Sequence, residues 1–117
     1  MLKNHIGFKK IYLACGYTDL RSGIDKLATF IAMEYELNPF DEGTLFLFCG
    51  RKNDRIKGLL WEGDGFLLLY KRLEKGRYMW PKNSNDIRNL TAEEYERLVS
   101  GFTIDPVIER VRPEYTI

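Results

Sequence analysis

The spacing of apolar residues changes character repeatedly along the chain, and each change marks a predicted element. Lys10-Ile11-Tyr12-Leu13-Ala14-Cys15 is short and rich in β-formers, which predicts a strand ending at Gly16-Tyr17. Apolar residues then recur at Leu20, Ile24, Leu27, Ala28, Ile31, Ala32 and Tyr35. That three-and-four spacing predicts an amphipathic helix from Leu20 to about Leu37. Thr18 or Asp19 is its expected N-cap, because either side chain can accept a free amide of the first turn. Asn38-Pro39 is its expected stop, since proline disfavours helix at the residue before it.

From residue 44 the pattern turns to short apolar runs divided by turn chemistry. Thr44–Cys49, Ile56–Trp61, Phe66–Tyr70 (running on into Leu73) and Arg77–Trp80 read as strands. Gly50–Arg55, Glu62-Gly63-Asp64-Gly65 and Glu74-Lys75-Gly76 read as the turns between them. Such short connections predict an antiparallel meander over residues 44–80. Thr91-Ala92-Glu93-Glu94 is a capping box that opens a short helix through Tyr95, Leu98 and Val99, with Gly101 as its stop. The predicted fold is therefore α+β: an antiparallel β-meander with one long helix packed on it and a short C-terminal helix. The runs at 45–49 and 66–70 are apolar on both sides, so the second sheet face should also be covered, by the last helix or by a partner.

Length and composition fit this picture. The 117 residues suit a single domain, with a core over about 8–101 and residues 102–117 as a tail or arm. Apolar residues at 44% and charged residues at 30% describe a folded chain rather than a disordered one. Cys15 and Cys49 each end an apolar run, the setting of free buried thiols, and their spacing makes neither a zinc site nor a redox pair. No run approaches membrane-spanning length and no apolar leader is evident, so the expected compartment is the cytoplasm.

Net charge is only +1, but it is unevenly distributed. Residues 51–77 carry eight basic and four acidic side chains, while the segments before and after them, Lys82 aside, are net acidic. A basic centre of this kind either binds a polyanion or is a solvated hairpin surface. Arg55 and Lys57 are two apart, so they point the same way on an extended strand. Lys71 and Arg72 return toward the same end on an antiparallel neighbour, and Arg51 lies in the turn. Trp61, Phe66, Tyr70, Tyr78 and Trp80 are interleaved with them. Basic groups could grip phosphates while rings stack on exposed bases; alternatively the rings, Trp61 and Phe66 foremost, fill the core beneath basic stems.

Catalytic patterns are lacking. The single histidine, His5, reads as a surface residue near the N-terminus. No serine lies in a nucleophile elbow, and Gly63 and Gly65 read as turn glycines rather than a phosphate loop. Asp19 reads as a cap, and Asp54 and Asp64 as turn residues. A metal nuclease built on Asp19, Asp25, Asp54 or Asp64 has no ligand spacing to support it. No cofactor, no metal and no catalytic residue are expected.

Phe8–Asp25, Asn38-Pro39-Phe40, Leu45–Arg51, Asp54–Leu73, Arg77–Pro81 and Leu90-Thr91 together resemble the accessory proteins (TnpB) of the insertion sequence 66 family, over about residues 8–101. These are distinct from the RNA-guided nuclease that shares the name. The resemblance implies a small bacterial companion of a separate transposase, without the catalytic acids. Its hallmark residues here, Gly16, Asp19, Arg21, Gly23, Arg55, Lys57, Trp61, Gly65, Tyr70, Lys71, Arg72, Leu73, Trp80 and Pro81, are candidates only, several of them structural. The expected function is a non-catalytic accessory role in transposition. Element-end DNA and the element-encoded transposase are the expected partners, and Arg51, Arg55, Lys57, Lys71 and Arg72 the expected nucleic-acid contacts. The alternative is a protein-interaction module that touches the transposase and never DNA.

Overall fold

A computed structural model of the chain describes residues 7–101. His5 and the tail over 102–117 lie outside the described residues. The elements run β1 (Lys10–Ala14), α1 (Ile24–Glu34), β2 (Thr44–Cys49), β3 (Arg55–Trp61), β4 (Phe66–Arg72), β5 (Ile87–Leu90) and α2 (Ala92–Val99). They form one five-stranded sheet in the order β4-β3-β2-β1-β5. Only the β1–β2 pairing is parallel; β2–β3, β3–β4 and β1–β5 are antiparallel. The class is α+β, as the apolar pattern predicts.

Both sheet faces are covered. On one face Leu27 and Ile31 of α1 pack with Ala14, Phe46, Phe48 and Leu59. On the other, Tyr95 and Leu98 of α2 pack with Leu13, Leu45, Leu47, Ile56 and Leu60. This two-sided cover explains why β2 is buried at every position. Each fully buried Leu or Ile here contributes roughly 1.5–3 kcal/mol relative to exposure. Gly58, mid-β3, leaves room for Leu45: a Cβ there would lie 3.0 Å from Leu45 Cδ1.

The long helix is shorter than its periodicity. It starts after Gly23, which caps it with no side-chain bond, rather than at Leu20. Asp19 does not cap it. Its carboxylate instead accepts the Arg21 amide and guanidinium in a local turn. Ser22 and Gly23 are weak helix formers, and the Ser22 carbonyl is taken by Lys57 Nζ at 2.9 Å. At the other end Glu36 adopts a positive φ of 53°, which stops the helix before Leu37.

Two differences lie in the second half. Arg77–Trp80 is not a fourth meander strand. After Arg72 the Leu73 amide donates to Asp54 O and the Tyr78 amide to Asn53 O, each at 2.6 Å, so the chain folds under the β2–β3 turn. Tyr78 and Trp80 enter the core on the α2 side, and Trp80 Nε1 donates to Ala14 O at 2.9 Å. The chain thereby crosses to the far edge and adds β5, a strand the sequence pattern does not predict, beside β1. The predicted capping box of α2 forms in both directions: Glu94 N donates to Thr91 Oγ1 and Thr91 N to Glu94 Oε1.

Candidate nucleic-acid interface

Because β1 and β2 are parallel, both end at the same edge of the molecule, where β3 begins and β4 finishes. The loop after β1, the β2–β3 turn and the last residues of β4 therefore meet. The Thr18 amide donates to Cys49 O at 2.8 Å and pins the loop against Gly50. Gly16, at φ 80°, allows the chain to leave β1 sharply enough for this. Asn53, at φ 62°, closes the turn, with its amide donating to Gly50 O.

Between these segments lies an open cleft of about 610 Å³, lined by Tyr17, Arg21, Arg51, Lys52, Arg55 and Tyr70 among others. Four of its lining side chains are cations, and Asp19 is its carboxylate. Arg21 pairs with Asp19 at 2.8 Å, and Arg55 with Asp54 at 3.0 Å. Arg51 and Lys52 make no ion pair among the described residues. The Arg51 guanidinium instead lies 4.6 Å from the Tyr17 ring centre, and Lys82 Nζ lies 4.7 Å from the same ring.

The predicted contacts divide by strand register. Arg55 pairs across the ladder with Arg72, and Lys57 with Tyr70, so these four share the α1 face. Lys71 is opposite Ile56, which faces α2, so Lys71 points to the far side. Lys57 is only 8% exposed: its ammonium donates to Ser22 O and sits 5.8 Å from the Tyr70 ring. Arg72 is exposed and pairs with Glu74 at 3.0 Å. Arg51 lies in the cleft itself. Tyr17, Arg21 and Lys52 also line the cleft, although sequence reasoning assigned the first to a turn and did not place the others in the site. Arg21 stood among the family hallmarks, which was the available signal.

Neighbouring groups set the ionisation of the side chains around this cleft. Hydrogen bonds from Arg21 hold the Asp19 carboxyl far below the usual carboxylate range. The Arg55 guanidinium likewise lowers Asp54. Asp54 first, and Tyr70 more weakly, hold Arg55 in its charged form. Burial pulls the Lys82 ammonium down. Burial pushes the Cys49 thiol, which lies beneath the turn, up to about 12, so it stays protonated and is no nucleophile near neutral pH. Among the described residues there is no group of three or more His, Cys, Asp or Glu that could hold a metal ion. No helix among them is long and apolar enough to cross a membrane.

At the opposite end of the sheet the chemistry is apolar. Phe40 packs on Trp61 and Phe66 at ring separations of 5.0 and 5.1 Å, and Trp61 meets Phe66 at 4.9 Å. Trp61 and Phe66 are half-buried there, while Tyr78 and Trp80 are buried.

Comparison with known proteins agrees with the resemblance noted from the sequence. The chain is 35% identical over 92 residues to the uncharacterized protein y4hO of Sinorhizobium fredii, a span covering 79% of each chain. It is 28% identical over 92 residues to the uncharacterized protein y4jC of the same organism, covering 79% of this chain and 78% of that one. No solved structure matches it. The family described as IS66 Orf2 like protein matches residues 9–109. The chain therefore belongs to the IS66 Orf2-like family, which implies an accessory role in transposition.

Proposed function

We propose that this protein is a non-catalytic accessory factor of transposition that holds element DNA at the basic cleft. The observation that carries the reading is the meeting of Arg21, Arg51, Lys52 and Arg55 around one open cleft, with Arg51 and Lys52 making no ion pair among the described residues. Phosphates are the natural counter-charge for such a group, and their contacts are salt-sensitive and independent of sequence. The exposed Asp19–Arg21 pair contributes little to stability, so a phosphate can compete for Arg21. Arg72 extends the same face beside Arg55. Lys57 acts by anchoring the Ser22 carbonyl at the rim. Lys71, on the far face of edge strand β4, reaches a phosphate where the DNA passes around that edge.

The test is a low-salt titration of the full chain with element-end DNA. Arg51→Ala with Arg55→Ala should weaken retention about tenfold and flatten the salt dependence by about 1.8 on a log–log plot for a duplex. Unchanged retention and slope in a folded double variant would overturn the assignment, as would a wild-type chain that retains no DNA.

A second reading, contact with the element-encoded transposase, draws on the other end of the sheet. Phe40 is half exposed over Trp61 and Phe66, and β4 is an edge strand. Large exposed rings of this kind are frequent interface anchors. Phe40→Ser should abolish co-purification with the transposase while leaving DNA retention intact; co-purification at the wild-type level would remove this reading.

A further inference from the structure

We infer that the cleft takes an unpaired segment of DNA, with a base stacking on the exposed face of Tyr70 and its neighbouring phosphates on Arg51 and Arg55. This rests on the DNA-holding reading above and adds the form of the DNA. Basic groups alone do not discriminate a duplex from a single strand. The rings do.

Tyr70 and Tyr17 are 53% and 54% exposed, and both line the cleft. Large aromatic side chains are usually buried or half-buried, so two exposed rings in one basic cleft call for an explanation. Tyr70 is held from within. Its ladder partner Lys57 places a buried ammonium 5.8 Å from the ring centre. The ring is thereby fixed in position while it stays open to the cleft. Tyr17 carries the Arg51 guanidinium at 4.6 Å, and a guanidinium plane is itself a surface on which a base can stack.

Shape points the same way. In a duplex the base faces are covered by neighbouring bases, so only edges and phosphates are offered to a protein. A concave site whose rings stand among its cations gains no stacking from them when it meets a duplex. A strand with splayed bases presents a π-face to Tyr70 and to the Arg51 plane carried on Tyr17, and its phosphates to the basic groups, and every base can do this, so sequence preference should be weak.

The test compares a mixed-sequence single strand of about 12 nucleotides with a duplex of the same length, at one salt concentration. The wild-type chain should bind the single strand more tightly. Tyr70→Ala should weaken single-strand binding about tenfold and leave duplex binding within about twofold, while Tyr70→Phe, which keeps the ring, should restore the single-strand affinity. A 2-aminopurine in the strand should change fluorescence on binding to wild type and Tyr70→Phe, and not on binding to Tyr70→Ala. Equal binding of both DNA forms with no effect of Tyr70→Ala overturns this inference and leaves the DNA-holding reading standing. Failure to bind either form overturns both. Circular dichroism of each variant separates loss of the ring from loss of the fold.

Discussion

Strand β3 begins at Arg55 among turns and charges and ends at Trp61 among rings, and its two ends are held together by different physics. At the Arg55 end the organisation is carried by backbone hydrogen bonds, such as Thr18 N to Cys49 O, and by one exposed and one half-buried ion pair. At the Trp61 end it is carried by ring contacts among Phe40, Trp61 and Phe66. Arg51 and Lys52 at the first end hang on a frame they do not build, so they are available for a ligand. Side chains at the second end are part of the packing. Substitutions at the two ends should therefore separate binding from stability.

The largest effect is expected at the aromatic end. Trp61→Ala should lower the unfolding free energy by about 2–3 kcal/mol, below the range for a fully buried tryptophan because Trp61 is half-buried. Urea denaturation reads this, and DNA retention by the folded fraction should not change. A loss of retention matching that of the arginine variants would erase the distinction between the ends. The converse experiment is the Arg51→Ala and Arg55→Ala double variant, whose weaker DNA retention, by about tenfold, should come with a much smaller fall in the urea midpoint than Trp61→Ala causes, limited to the loss of the Arg55–Asp54 pair.

Thr91→Ala lies level with Trp61 but across the sheet, beyond the far edge strand β5, and sharpens the contrast. It removes the hydroxyl that accepts Glu94 N and should cost about 1 kcal/mol in stability, with no change in DNA binding. The smallest effect is that of pH. The Asp54 carboxyl is depressed by its hydrogen bond to Arg55, so the stability this pair contributes is fully present above the ordinary aspartate value of 3.8 and is lost only as pH falls below it. Between pH 8 and pH 5, this pair should therefore leave both the urea midpoint and DNA retention flat. A fall in either on approaching pH 5 that disappears in Asp54→Asn would show the pair to be weaker than its geometry indicates.

How far the sequence was legible depends on the range of the interaction in question. The Thr91–Glu94 box could be read because both its bonds span three residues. The turns at Gly50–Arg55 and Glu62–Gly65 could be read because glycine and short polar side chains act on their own backbone. The start of α1 at Ile24 is not legible in the local pattern, because the Ser22 carbonyl is taken by Lys57 Nζ, 35 residues away. Tyr78 and Trp80 looked like alternating strand residues, and only their contacts with the core and with Ala14 O show them as part of a crossing segment. The cleft shows the same division. Arg51 and Arg55 were evident as a basic turn, whereas Tyr17 and Arg21 join them only because β1 lies parallel beside β2.

Sequence alone determined what depends on spacing and local hydrogen bonding: the α+β class, the hairpin strands from Thr44 to Arg72, the cap of α2 and the basic character of the β2–β3 turn. The tertiary structure decided which strands are neighbours and which side chains face one another. It put Lys57 in the protein and Lys71 on the far face, although both looked equivalent in the pattern. The reason is physical. Periodicity fixes a side chain relative to its own backbone, but its exposure and its partners depend on segments that pack against it from elsewhere in the chain.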